Sequence, residues 1–168
     1  MKYLAYGSNM HPVRLKLRIP SAKFYKVISL KKYKLKFHKL GKDGSGKCNI
    51  FFTGNKKDKI YGIIYDIKDL EIKYLDRFEI GYEKKFLYLE EIKEEIFFYS
   101  ALKKFINESL RPYDWYKNFV LEGAKYFNLP KEYIRMIERV DSVKDFDFDR
   151  TQQMQEILEQ IKKADHLS

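Results

Sequence analysis

A chain of 168 residues fits one folded domain, and its 45% hydrophobic and 17% aromatic content is enough for a packed interior, which excludes a disordered or linker-rich polymer. Thirty-four Lys and Arg against twenty-four Asp and Glu give a formal net charge of +10, a quantity that bears on solubility and steering rather than on fold. The one cysteine, Cys48, excludes an intrachain disulfide and a zinc site built from clustered thiolates.

The basic excess is carried mostly by Lys, a strongly hydrated point charge, and less by Arg, the better bidentate reader of phosphates and bases. A solvated surface is therefore the favoured reading and nucleic acid is disfavoured, although the same charge can draw in a small anion. The segment Met1-Lys2-Tyr3-Leu4-Ala5-Tyr6 holds no apolar stretch of signal-peptide length, and no run approaches the ~20 apolar residues of a membrane span. The expectation is a cytoplasmic protein without membrane partners.

In chain order, residues 2–6 form a short apolar strand that meets a turn at Gly7-Ser8-Asn9. Residues 10–19 suit one or two helical turns, closed by Pro20. From 22 to 37 the chain is β-rich, with Tyr33, Leu35 and Phe37 alternating with Lys34 and Lys36. A polar loop over 41–46 leads to strands at about 47–52 and 59–66, with Gly54-Asn55 between them. Leu70, Tyr74, Leu75 and Phe78 share one face of a short helix over 68–78, which delivers the chain to Glu79. Two further strands follow at 82–90 and 94–101. Beyond Pro112 the pattern is helical: Trp115, Phe119, Val120 and Tyr126 recur at turn spacing, Leu129-Pro130 breaks the run, and a second helix spans about 131–140. A polar helix over about 150–164 closes a C-terminal extension, 141–168, of the single domain 1–168.

Strands interrupted by one short helix and then a run of helices predict an α+β fold, a small mixed β-barrel core with peripheral helices, rather than a doubly wound parallel sheet. No glycine-rich dinucleotide or phosphate-binding fingerprint is present. His11, His38 and His166 are scattered without metal-ligand spacing, so no metal is expected, and His38 and His166 read as structural and tail residues. Cys48 sits in a Lys-flanked strand, where a free thiol is most often a small core residue. Tyr6-Gly7-Ser8-Asn9 differs from these, because a strand ending in Gly-Ser-Asn can aim several backbone N–H groups at one point and so hold a carboxylate or an oxyanion.

Tyr3-Leu4-Ala5-Tyr6-Gly7-Ser8-Asn9-Met10 resembles the opening strand and loop of the γ-glutamylcyclotransferase family. Arg18-Ile19-Pro20-Ser21-Ala22, Tyr61-Gly62-Ile63-Ile64-Tyr65 and Leu75-Asp76-Arg77-Phe78-Glu79 are similar to later segments of that family. Tyr116-Lys117, Gly123-Ala124-Lys125 and Leu129-Pro130-Lys131-Glu132-Tyr133 continue the match in order, so that it spans about 3–140. The resemblance implies a cofactor-free enzyme that cyclises a γ-glutamyl group to 5-oxoproline and frees the amine it carried. It further implies Glu79 as the catalytic acid/base, with Tyr3, Leu4, Ala5, Tyr6, Gly7, Ser8 and Asn9 as the substrate-binding strand and loop and Tyr99 and Tyr116 as pocket tyrosines. Phe78, Ile80 and Tyr82 are placed to form an apolar wall that raises the Glu79 pKa.

The chain departs from the pattern where Ile80 separates Glu79 from Gly81, and where Phe86 stands at a position often held by Tyr. Both changes are expected beside the acceptor part of the site and bear on which γ-glutamyl compound is used. The expected partner is a small γ-glutamyl substrate bound by a monomer or homodimer. One alternative is a γ-glutamylamine such as γ-glutamyl-ε-lysine as substrate. The other is a non-catalytic basic barrel that holds nucleic acid or an acidic protein on its Lys–aromatic strands at 23–39.

Overall fold

The computed structural model describes residues 1–165; His166 lies outside the described residues. At its centre is β1 (Lys2–Ala5), whose residues Tyr3, Leu4 and Ala5 are buried and which has a strand on each side. On one side it pairs antiparallel with β5 (Lys59–Asp66), and on the other it runs parallel to β7 (Glu94–Ala101). With β2 (Lys23–Lys31) beyond β5 and β6 (Tyr82–Leu89) beyond β7, the sheet is mixed and five-stranded, in the order β2-β5-β1-β7-β6. Because β1 and β7 are parallel, the chain leaves both strands at the same end of the sheet. The loop after β1 therefore sits beside Tyr99.

The β-rich stretch from 22 onward forms two strands. Lys32 adopts a left-handed backbone, φ 71°, and turns the chain out of the main sheet. β3 (Tyr33–Leu40) then pairs with β4 (Gly46–Phe52) as a separate antiparallel ribbon. Asn49, on β4, ties the ribbon to the sheet: its Oδ1 accepts from the Ala101 N–H at 2.8 Å, and its amide nitrogen meets His38 Nε2 at 2.9 Å. His38 is thus a buried structural residue, held on its other nitrogen by Glu108.

Helices pack around the sheet: α1 (Pro12–Lys16), α2 (Asp69–Asp76), α3 (Asp114–Tyr126), α4 (Lys131–Glu138) and α5 (Phe148–Asp165). The face expected for α2 is corrected. Leu70 is 80% exposed and Phe78 is also largely outside, while Ile72 and Leu75, one turn apart, are the residues that enter the core. α3 is the main core helix and buries Trp115, Tyr116, Phe119, Val120 and Ala124. Gly123 lets it close on the loop after β1, since a Cβ there would stand 2.7 Å from Met10 Cβ and 3.0 Å from the His11 nitrogen. The segment beyond 140 is bound to this framework. Asp145 accepts from Trp115 Nε1 at 2.9 Å and from Arg150 in a bidentate pair that holds its carboxyl at a pKa of about 2, while Leu158 and Ile161 are buried.

Replacing Asn49 by Ala strands the Ala101 N–H and one His38 nitrogen in the interior. The expected loss is on the order of 2–4 kcal/mol of stability, read as a lower urea midpoint at unchanged slope. A midpoint within error of the parent would show that the ribbon is held by packing alone.

Candidate active site

The loop after β1, the end of α2 and the β3–β4 hairpin enclose a cavity of about 280 Å³. Of the residues singled out from the sequence, Tyr3, Tyr6, Gly7, Ser8, Asn9, Glu79, Tyr99 and Tyr116 all line it. Leu4 and Ala5 do not. They are buried, and they serve the site by carrying the strand that presents its neighbours. Phe78, Ile80 and Tyr82 contribute to the wall as expected, but Phe86 does not: it stands half-exposed on β6 against the Phe97 ring.

Glu79 follows the last turn of α2, where its N–H reaches the Asp76 carbonyl at 3.2 Å. Its side chain is 14% exposed. Asn9 Nδ2 donates to its Oε1 at 3.4 Å, and an Arg18 guanidinium nitrogen lies 4.0 Å from the same oxygen. Burial raises the Glu79 pKa above the ordinary carboxylate value, while Arg18, Lys39 and the Asn9 hydrogen bond pull the other way without cancelling it. A carboxylate so placed holds a proton more readily than one in water.

The surrounding tyrosines are fixed by their hydroxyls. Tyr6 donates to the Tyr99 carbonyl, Tyr99 to the Asp76 carboxylate, and Tyr82 to the Cys48 carbonyl at 2.6 Å. Tyr116 accepts from the Cys48 N–H at 3.1 Å, and Tyr3 accepts from Asn9 Nδ2 at 3.1 Å. Burial pushes all five phenol pKa values up, so these groups stay neutral. Cys48 lines the cavity from β4, with its thiol pushed up to about 12 by burial, which leaves no thiolate to act as a nucleophile. It also explains Gly7: a Cβ there would meet Cys48 Cβ at 2.9 Å, so only glycine lets this loop lie against the ribbon.

Five charged residues that line the cavity were not singled out from the sequence: Arg14, Lys39, Lys42, Asp43 and Lys47. Arg14 is 7% exposed, with its guanidinium 3.9 Å above the Phe119 ring and its Nε without a hydrogen-bond partner; burial lowers its pKa to about 9. Lys39, 4% exposed, donates to the Ile80 carbonyl at 2.6 Å. Lys47 pairs with Asp43 at 2.7 Å and stands 4.5 Å over the Tyr116 ring. The four-residue spacing of Arg14 and Arg18 was a usable helical signal. Lys39, Asp43 and Lys47 lay among many lysines, and only the folding of the hairpin turns them inward. No group of His, Cys, Asp and Glu suited to a metal ion occurs among the described residues.

No family model matches the chain. A γ-glutamylcyclotransferase of Homo sapiens is 31% identical over 150 residues, covering 83% of this chain and 78% of that protein. One of Mus musculus is 32% identical over 149 residues with the same coverage. Among solved structures, a γ-glutamyl cyclotransferase aligns with a TM-score of 0.78 at 26% identity, covering 95% of this chain and 98% of that chain.

Glu79 also has a measurable effect on stability. Its carboxyl is harder to ionise folded than unfolded, so ionisation opposes folding. That cost is absent below the unfolded pKa and complete once pH exceeds the raised folded pKa. Glu79→Gln is therefore expected to raise Tm at neutral pH, with the gain shrinking to nothing as pH falls below about 4. A gain that is independent of pH would show that the carboxylate is not desolvated.

Proposed function

The chain belongs to the γ-glutamylcyclotransferase family, and we propose that it converts a γ-glutamyl compound to 5-oxoproline with Glu79 as the proton carrier. The observation that carries this reading is one buried carboxylate of raised pKa facing the loop Tyr6 to Asn9 across a small, tyrosine-walled cavity. The substrate supplies its own nucleophile. Its α-amine attacks the side-chain carbonyl carbon, a new C–N bond closes the five-membered ring, and the original amide C–N bond breaks. Glu79 takes the proton that the amine loses and returns it to the departing nitrogen, so no water or second substrate is consumed.

An intramolecular attack needs the glutamyl chain held in a folded shape, and positioning of that kind is worth several kcal/mol. The loop at 6–9 suits the task because Gly7 has no side chain and because Asn9, bonded to Tyr3 and Arg18, stands in a fixed orientation beside Glu79. Burial holds the phenols neutral and makes Glu79 a stronger proton acceptor than an ordinary carboxylate.

Glu79→Gln keeps the shape and the Asn9 neighbour but cannot carry a proton. It is expected to lower kcat by about 10²–10⁴ on any γ-glutamyl compound that the parent cyclises, with binding of 5-oxoproline nearly retained. Parent-like release of 5-oxoproline by this variant would remove Glu79 from the reaction.

A further inference from the structure

The cavity carries more positive charge than a substrate with a simple amino acid as leaving group neutralises. Four cations lie in its wall with little exposure: Arg14, Arg18, Lys39 and Lys47. Against these four stand two carboxylates, Asp43 and Glu79, an excess of two positive charges among the little-exposed groups, the other lining cations, Lys42 and Arg77, being exposed. Lys47 is matched by Asp43 at 2.7 Å, and Arg18 reaches Glu79 at 4.0 Å and donates to Asn9 Oδ1 at 3.1 Å. Lys39 and Arg14 have no carboxylate within ion-pair distance among the described residues. Burying such groups without a counter-charge is costly, so the wall is prepared for anions that arrive with the ligand.

The two cations occupy different walls. Arg14 belongs to α1, directly after the loop proposed to hold the glutamyl part. Lys39 belongs to the β3–β4 hairpin and is anchored on the carbonyl of Ile80, the residue that follows Glu79. Lys42 and Lys47 line the same wall. If Glu79 protonates the departing nitrogen, the hairpin wall faces whatever that nitrogen carries.

Resting on the cyclisation reading, we propose that the departing amine is an amino dicarboxylic acid, with Lys39 binding its second carboxylate. A γ-glutamyl dicarboxylic acid that arrives with its amine protonated carries a net charge of −2, which matches the buried excess. A neutral amino acid in the leaving position brings one charge fewer, and a lysine-type amine places an ammonium against Lys39.

The decisive comparison is between γ-glutamyl-glutamate and γ-glutamyl-glutamine, nearly identical in size and differing by one carboxylate, with γ-glutamyl-ε-lysine as third probe and 5-oxoproline release as readout. The expected kcat/KM for γ-glutamyl-glutamate is at least about tenfold above that for γ-glutamyl-glutamine, with γ-glutamyl-ε-lysine lowest. Lys39→Met should bring the first ratio toward one, and Lys39→Arg should keep a preference; a merely structural role would lower both substrates together and leave the ratio unchanged. Equal turnover of the two by the parent, or faster turnover of γ-glutamyl-ε-lysine, overturns this inference and leaves cyclisation standing. A parent preference that survives in Lys39→Met overturns the role of Lys39. If Lys39→Met does not fold, the parent's ratio still decides the substrate class and Lys39→Arg the need for charge. Absence of 5-oxoproline from all three compounds overturns the reaction and this inference with it.

Discussion

Glu79 is held where burial and charge oppose each other. Removing its carboxylate from water favours the neutral acid, while Arg18, Lys39 and the Asn9 amide favour the anion. Desolvation acting alone shifts the group further toward the protonated form, which is not a base. Had the cations acted alone, it would behave as an ordinary salt-bridged surface carboxylate with too little affinity for a proton. The rest of the architecture can be understood as what keeps this balance in place. The end of α2 delivers the residue, β1 and its loop bring Asn9, the turn after α1 brings Arg18, and the β3–β4 hairpin brings Lys39.

Tyrosine is the material of the cavity wall for a related reason. A phenol buries a large apolar ring yet satisfies a polar group at its tip, so it can line a site that must be both dry and hydrogen-bonded. The hydroxyls of Tyr6, Tyr82 and Tyr116 each join elements distant in the chain: β1's end to β7, β6 to β4, and α3 to β4. These bonds fix the rings while burial keeps the phenols un-ionised. Gly7 and Gly123 complete the arrangement by allowing the loop to lie within contact of β4 on one side and α3 on the other.

Much of this was legible in the chain as a string of residues. The alternation of Tyr33, Leu35 and Phe37, the run into Gly7, the break at Pro130 and the order of strands before helices are local patterns, and local patterns survive into the fold. The motif from Tyr3 to Met10 and the segment ending at Glu79 pointed to a loop and a carboxylate as site candidates, and Tyr3, Tyr6, Gly7, Ser8, Asn9 and Glu79 line the cavity. Where the periodicity misled, at α2, the helix is only eight residues long, and Ile72 and Leu75 suffice to dock it, leaving Leu70 in water.

The sequence by itself determined the element types and the mixed α+β class, because these depend on near neighbours and on repeat period, and its family resemblance singled out Glu79 and the loop 6–9 as site candidates. Only the tertiary structure decided which of the many lysines are buried, that Arg14 lies over Phe119 with its Nε unpaired, that Cys48 backs Gly7, and that Leu4 and Ala5 support the site without lining it. The physical reason is that burial and electrostatic coupling are set by contacts between segments tens of residues apart. Lys39 and Lys36 are indistinguishable along the chain, yet one is enclosed against the carbonyl of Ile80 and the other reaches the exposed carboxylate of Glu108.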